Sequence, residues 1–126
     1  MIGILNIIVD RLLKNKAFNQ LRIVKQTNDI YKRIIYTGSG NYDEYTLRLV
    51  FLINTGKWFD KTLRFTITAN SNNNLLIVRR GYEEACVCFK YKNYKAIVNN
   101  IIEEILNVQN ENYINNKLKG CVNYEK

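Results

Sequence analysis

The 126-residue sequence predicts an α+β domain: an N-terminal helix, an antiparallel sheet of about five or six strands and a C-terminal helix, with both helices packed on one face of the sheet. Three observations carry this prediction. Apolar residues recur every three or four positions up to residue 18, every second position from residue 22, and every three or four again from residue 94. The connections between the alternating segments are short, so strands adjacent in sequence are expected to pair in space. Each clear strand has one apolar and one polar face, which leaves one sheet face for the helices to cover.

Residues 2–18 (IGILNIIVDRLLKNKAF) read as one helix, through Ile4, Leu5, Ile8, Leu12 and Leu13. Lys14 and Lys16 enrich its last turn, where cations complement the helix dipole. RIVKQT (22–27) and IYKRIIYT (30–37) read as a hairpin turning at Asn28-Asp29, followed by a loop, TGSGNYDE. The clearest strand is YTLRLVFLI (45–53), with Tyr45, Leu47, Leu49, Phe51 and Ile53 on one face and Thr46, Arg48, Val50 and Leu52 on the other. After a hairpin loop at 54–57, KTLRFTITA (61–69) alternates as cleanly, with Thr62, Arg64, Thr66 and Thr68 on the polar face. A turn cluster at 70–74 leads to LLIVRR (75–80), and a turn at Gly81-Tyr82 leads to EACVCFKY (84–91), where Ala85, Val87, Phe89 and Tyr91 share a face. YKAIVNNIIEEIL (94–106) is helical, with Asn93 as its N-cap. Residues 1–106 are thus expected to form a single domain, and 107–126 a polar, Asn-rich, partly ordered tail with a short helix at 113–118.

Composition narrows the function classes. The absence of histidine excludes a Ser-His-Asp triad, a Cys-His dyad, His-ligated metal and an imidazole pH switch. Nineteen Lys and Arg against eleven Asp and Glu give a net charge of +8, which points to a polyanionic partner. Asn, Ile, Lys and Tyr make up 56 residues, all written by A/T-rich codons, and base composition alone supplies Lys and Asn without selection for binding. Residues 100–126 hold three basic and four acidic side chains, so the excess belongs to residues 1–99. Cys86, Cys88 and Cys121 form no disulfide framework, and the expectation is reduced thiols in an intracellular, reducing compartment. No apolar run reaches the ~20 residues of a membrane span, and neither a basic n-region nor an A-x-A site marks a signal peptide.

Two binding candidates emerge. The polar sheet face collects Arg48, Arg64, Lys90 and Lys92 among threonines, with Arg79 and Arg80 at a strand end. Guanidinium forks and hydroxyls donate hydrogen bonds to phosphate oxygens, although the same residues also suit an ordinary solvated sheet face. The loop Lys57-Trp58-Phe59-Asp60-Lys61 sets adjacent aromatics between lysines, as a single-strand stacking platform does. Against that reading, the expected role of the chain's only Trp is to cap the core. The N-terminal helix, with Arg11, Lys14 and Lys16 beyond an Ile/Leu face, has the makings of an interfacial membrane helix, but the sheet's apolar face needs it as a cover.

The enzymatic candidates are poor. Glu83-Glu84 point to opposite faces of a strand, Glu103-Glu104 are separated by ~100° on a helix, and Asp43-Glu44 lie in a loop. Gly38-Ser39-Gly40 lacks the spacing of a phosphate loop, and Cys86, without His, reads as a small buried apolar residue. The sequence therefore predicts a non-catalytic protein with no cofactor and no metal. Its expected role is nucleic-acid binding or nucleoprotein association through Arg48, Lys57, Trp58, Lys61, Arg64, Arg79, Arg80, Lys90 and Lys92. The alternative is a structural subunit of a larger assembly, held by a protein partner or as a homo-oligomer, because Ile and Tyr are abundant and the stripe from Tyr94 to Leu106 is wide.

Overall fold

Leu5, Ile8 and Leu12 follow one another at helical spacing and are fully buried, forming the inner stripe of helix α1 (Ile2–Leu13). The computed structural model describes residues 2–70, 74–81 and 86–110. The single helix expected over 2–18 is broken. Asn15 Oδ1 accepts hydrogen bonds from the backbone N–H of Ala17 (2.8 Å) and Phe18 (3.2 Å), which caps a new short helix, α2 (Lys16–Asn19). An Asn side chain competes for backbone donors inside a helix and satisfies them at a cap, so the chain turns there. The break lets Phe18 dip into the core.

Strand β1 (Ile23–Thr37) is continuous and pairs along its length with β2 (Gly40–Asn54). This corrects the hairpin expected at Asn28-Asp29. Those residues lie mid-ladder, opposite Leu49 and Arg48, and the turn falls at Gly38-Ser39. Gly40 takes φ +139°, which a side chain disfavours, and Thr37 Oγ1 donates to the Gly40 carbonyl at 2.5 Å. Glycine accepts positive φ more readily than Asn or Asp, so the glycine-flanked turn wins. The expected loop at 37–44 is therefore a two-residue turn followed by strand.

Three further strands complete an antiparallel sheet in the order β1-β2-β3-β4-β5: β3 (Asp60–Asn70), β4 (Leu75–Arg80) and β5 (Val87–Lys90). β5 is shorter than the strand expected over 84–91, whose residues 84 and 85 lie outside the described residues. Tyr91 already belongs to a 3-10 turn (Tyr91–Asn93), and Val87 is exposed. Cys86 and Cys88 are also exposed, which overturns the buried role expected for Cys86. Helix α3 (Tyr94–Gln109) begins at that 3-10 turn, and Asn93 makes no side-chain cap bond. The helix runs past the expected boundary at 106, because Val108 and Gln109 are buried. The short helix expected at 113–118 lies outside the described residues.

Alternation sorts the sheet into two faces. Leu47, Leu49, Phe51 and Ile53 of β2, Leu63, Phe65, Ile67 and Ala69 of β3, and Leu76 and Val78 of β4 share one cluster with the buried residues of α1 and α3. Phe51 is at its centre, edge to face with Phe18 and Phe65 at centroid distances of 6.0 and 6.2 Å. Arg22 ties the two layers together. Its backbone N–H donates to Gln109 Oε1 (2.7 Å), and its guanidinium donates to the carbonyls of Gln109 (2.6 Å) and Asn54 (3.2 Å). A cation thus sits at the C-terminal, negative end of α3.

Candidate functional site

The face turned away from the helices follows from the register. Arg48 stands opposite Asp29 on one side and Thr66 on the other, and Thr66 stands opposite Arg79. The neighbouring row runs Tyr31, Thr46, Thr68, Ile77 and Cys88, and the next runs Arg33, Glu44, Asn70, Leu75 and Lys90. Arg64 lies opposite Val50 on the same face. Residues directly opposite in a ladder share a face, so Arg48, Arg64, Arg79 and Lys90 converge on one surface. Lys25 and Arg33 add to them, giving six cations against the carboxylates of Asp29 and Glu44.

Local contacts order part of this surface. Arg33 Nη2 donates to Glu44 Oε1 at 2.7 Å. The Arg48 guanidinium carbon lies 5.4 Å from the centroid of the Tyr31 ring, a cation–π contact. Thr46 and Thr68 share a hydroxyl hydrogen bond of 3.1 Å. Together Tyr31, Arg33, Glu44, Thr46, Thr66, Thr68, Ile77 and Arg79 line a depression of about 320 Å³. The hydroxyl and guanidinium groups of this lining can donate to an anion's oxygens, the Glu44 carboxylate is held by Arg33, and the Tyr31 ring offers a stacking surface.

The other expected residues fall elsewhere. Arg80 alternates onto the helix side of β4 opposite Phe65, and its Nη1 donates to Glu104 Oε2 of α3. Lys61 lies opposite Ile53 on the helix-side alternation, with its Nζ 5.9 Å from the Phe59 ring centroid. Lys57 and Trp58 occupy the β2–β3 turn, beyond the end of the sheet, and Lys92 is exposed in the 3-10 turn after β5. Trp58 is 93% exposed and packs at 74° against Phe59, 5.0 Å between centroids, so neither ring caps the core as expected. The cause is local. Gly56 at φ +83° and its N–H bond to Asn54 Oδ1 (2.7 Å), with Thr55 Oγ1 donating to the Phe59 carbonyl (3.1 Å), close a turn that carries both rings outward.

Tyr31 and Arg33 belong to the open face but were not among the expected site residues. Their alternation with Asp29 carried the signal, and the misplaced turn at 28–29 concealed it. Of the acidic pairs, Glu44 and Glu104 hold Arg33 and Arg80, and Glu83-Glu84 lie outside the described residues. Among the described residues, no three Cys, Asp or Glu side chains could together hold a metal ion, and no helix is long and apolar enough to cross a membrane. No family model, curated protein or solved structure matches this chain.

Proposed function

We propose that this protein binds nucleic acid across the open face of its sheet, phosphates meeting Arg48, Arg64, Arg79 and Lys90 and unstacked bases meeting Tyr31. The observation that supports this most is the common face of those four cations, drawn from four strand segments that are separate in sequence. An open antiparallel face with threonine hydroxyls between guanidinium groups suits a flexible, multiply charged backbone. Trp58 and the lysines beside it extend the reading to a second contact at the β2–β3 turn, where base stacking on an aromatic contributes roughly 1–3 kcal/mol per base.

The test is binding to single- and double-stranded DNA and RNA across a salt series. Affinity should fall as salt rises, because neutralising phosphates releases counterions, and single strands should bind more tightly than duplexes. Arg64→Ala with Arg79→Ala should weaken binding and flatten the log–log salt slope by roughly 1.4–1.8, about 0.7–0.9 for each lost phosphate contact. Circular dichroism should show the double variant folded. No binding at low salt, or affinity indifferent to salt, would reduce the face to an ordinary solvated surface.

A further inference from the structure

We propose that two copies of this chain pair through their β1 edges, antiparallel, about a two-fold axis at Tyr31. Among the described residues, β1 is the terminal strand of the sheet and is bonded to β2 alone. Its other side therefore presents a row of backbone donors and acceptors. At 15 residues it is roughly three times the length of an average strand. Proteins guard such edges with brevity, proline, bulges or charged side chains, and of these β1 carries, from Lys25 onward, only charge, at Lys25, Asp29, Lys32 and Arg33. From Lys25 to Thr37 the edge has neither proline nor bulge, since its one register shift lies between Ile23 and Lys25. Apolar side chains stand exposed along it: Ile34 is 44% exposed and Tyr36 75%.

Charge selects the partner and the register. With the axis at Tyr31, Asp29 of each copy faces Arg33 of the second copy, on the open face. Asp29 and Arg33 then each lie between opposites, while Lys25 and Lys32 face the uncharged Thr37 and Ile30 of the second copy. Asp29 sits between Arg48 and Arg33 of the second copy, and Arg33 sits between Glu44 and Asp29 of the second copy. Axes at Asp29 or Arg33 would set like charges against each other. An axis at Thr27 would pair Lys25 with Asp29 but leave Ile34 and Tyr36 outside the ladder. Only the axis at Tyr31 joins charge complementarity to pairing over residues 25–37. The product is a continuous ten-stranded sheet with both helix layers on one side.

Size-exclusion chromatography with light scattering on the full chain tests this without nucleic acid, so its outcome is separate from that of the binding reading. The expected mass is twice 14.9 kDa. Asp29→Arg alone and Arg33→Asp alone should each give monomers, folded by circular dichroism. An equimolar mixture of the two should recover the dimer, because each copy then offers what the other lacks. Independently, Tyr31→Cys in a chain with Cys86, Cys88 and Cys121 changed to Ser should form an intermolecular disulfide on oxidation, since facing residues in an antiparallel pair have Cα atoms within disulfide range. A monomeric parent chain, a dimer indifferent to both reversals, or a mixture that stays monomeric would overturn the proposal.

Discussion

Arg79 and Arg80 are chemically identical neighbours with opposite duties, because consecutive strand residues point to opposite faces. Arg79 lies on the open face opposite Thr66, while Arg80 crosses to Glu104 and fastens β4 to α3. Arg80→Ala should therefore lower stability by about 1.5–3 kcal/mol, the scale of a charge-assisted hydrogen bond. Urea unfolding checks this, and any nucleic-acid affinity should stay near the parent value. Arg79→Ala should do the reverse, with stability held and affinity reduced. Tyr91 gives a pH signature. Burial raises its hydroxyl pKa above 10.0, and the hydroxyl donates to the Asn70 carbonyl at 3.1 Å. The folded state then keeps the proton longer than the unfolded state does, so its contribution is full below pH 10 and is lost as pH rises through the folded value. Tyr91→Phe should flatten that part of the alkaline loss in a stability–pH profile.

At the level of elements, the β1–β2 hairpin decides which residues reach the open face, and its turn is directly testable. Gly40→Ala places a side chain at φ +139° and should cost about 1–3 kcal/mol. Asn28→Val should be neutral or stabilising by up to about 1 kcal/mol, because position 28 lies inside a strand opposite Leu49. A turn at 28–29 would reverse both results, so thermal melts of the two variants separate the registers. The same hairpin shows what the sequence disclosed. Periodicity sufficed for the helix–sheet–helix order and for the faces of β2 and β3, since long runs of alternation outweigh single turn residues. Arg48 and Arg64 were legible for that reason. Arg80 was not, because LLIVRR is a continuous apolar run without alternation to assign its faces. The choice between Asn28-Asp29 and Gly38-Ser39 as the turn depends on which pairing extends the ladder further, a non-local quantity that composition near the turn does not carry. Asn15 and the outward Trp58 turn likewise depend on specific side-chain-to-backbone bonds that periodicity does not report.

For the whole molecule, the sheet separates the face that packs the core from the face proposed to bind nucleic acid. Among the described residues, the buried cluster joins one face of the sheet to α1 and α3, and the cations of the open face are not part of it. Stability and binding should therefore vary independently. Ile67→Val beneath the sheet and Ile101→Val on α3 should each lower unfolding free energy by about 0.5–1.5 kcal/mol through lost methylene burial. Neither should change nucleic-acid affinity or its salt slope while the chain stays folded. Arg48→Ala with Arg64→Ala should show the complementary pattern, with weaker binding by a chain that circular dichroism shows folded. Combining one substitution from each set should give additive effects to within about 0.5 kcal/mol, as for sites with no shared partners. The informative failure is a core substitution that weakens binding in fully folded protein. It would mean that the strands adjust when the face is occupied, so that side chains such as Thr46 and Arg79 reach their ligand geometry only through movement of the sheet. Additivity would instead mark the face as set in place by the packing beneath it, before any partner arrives.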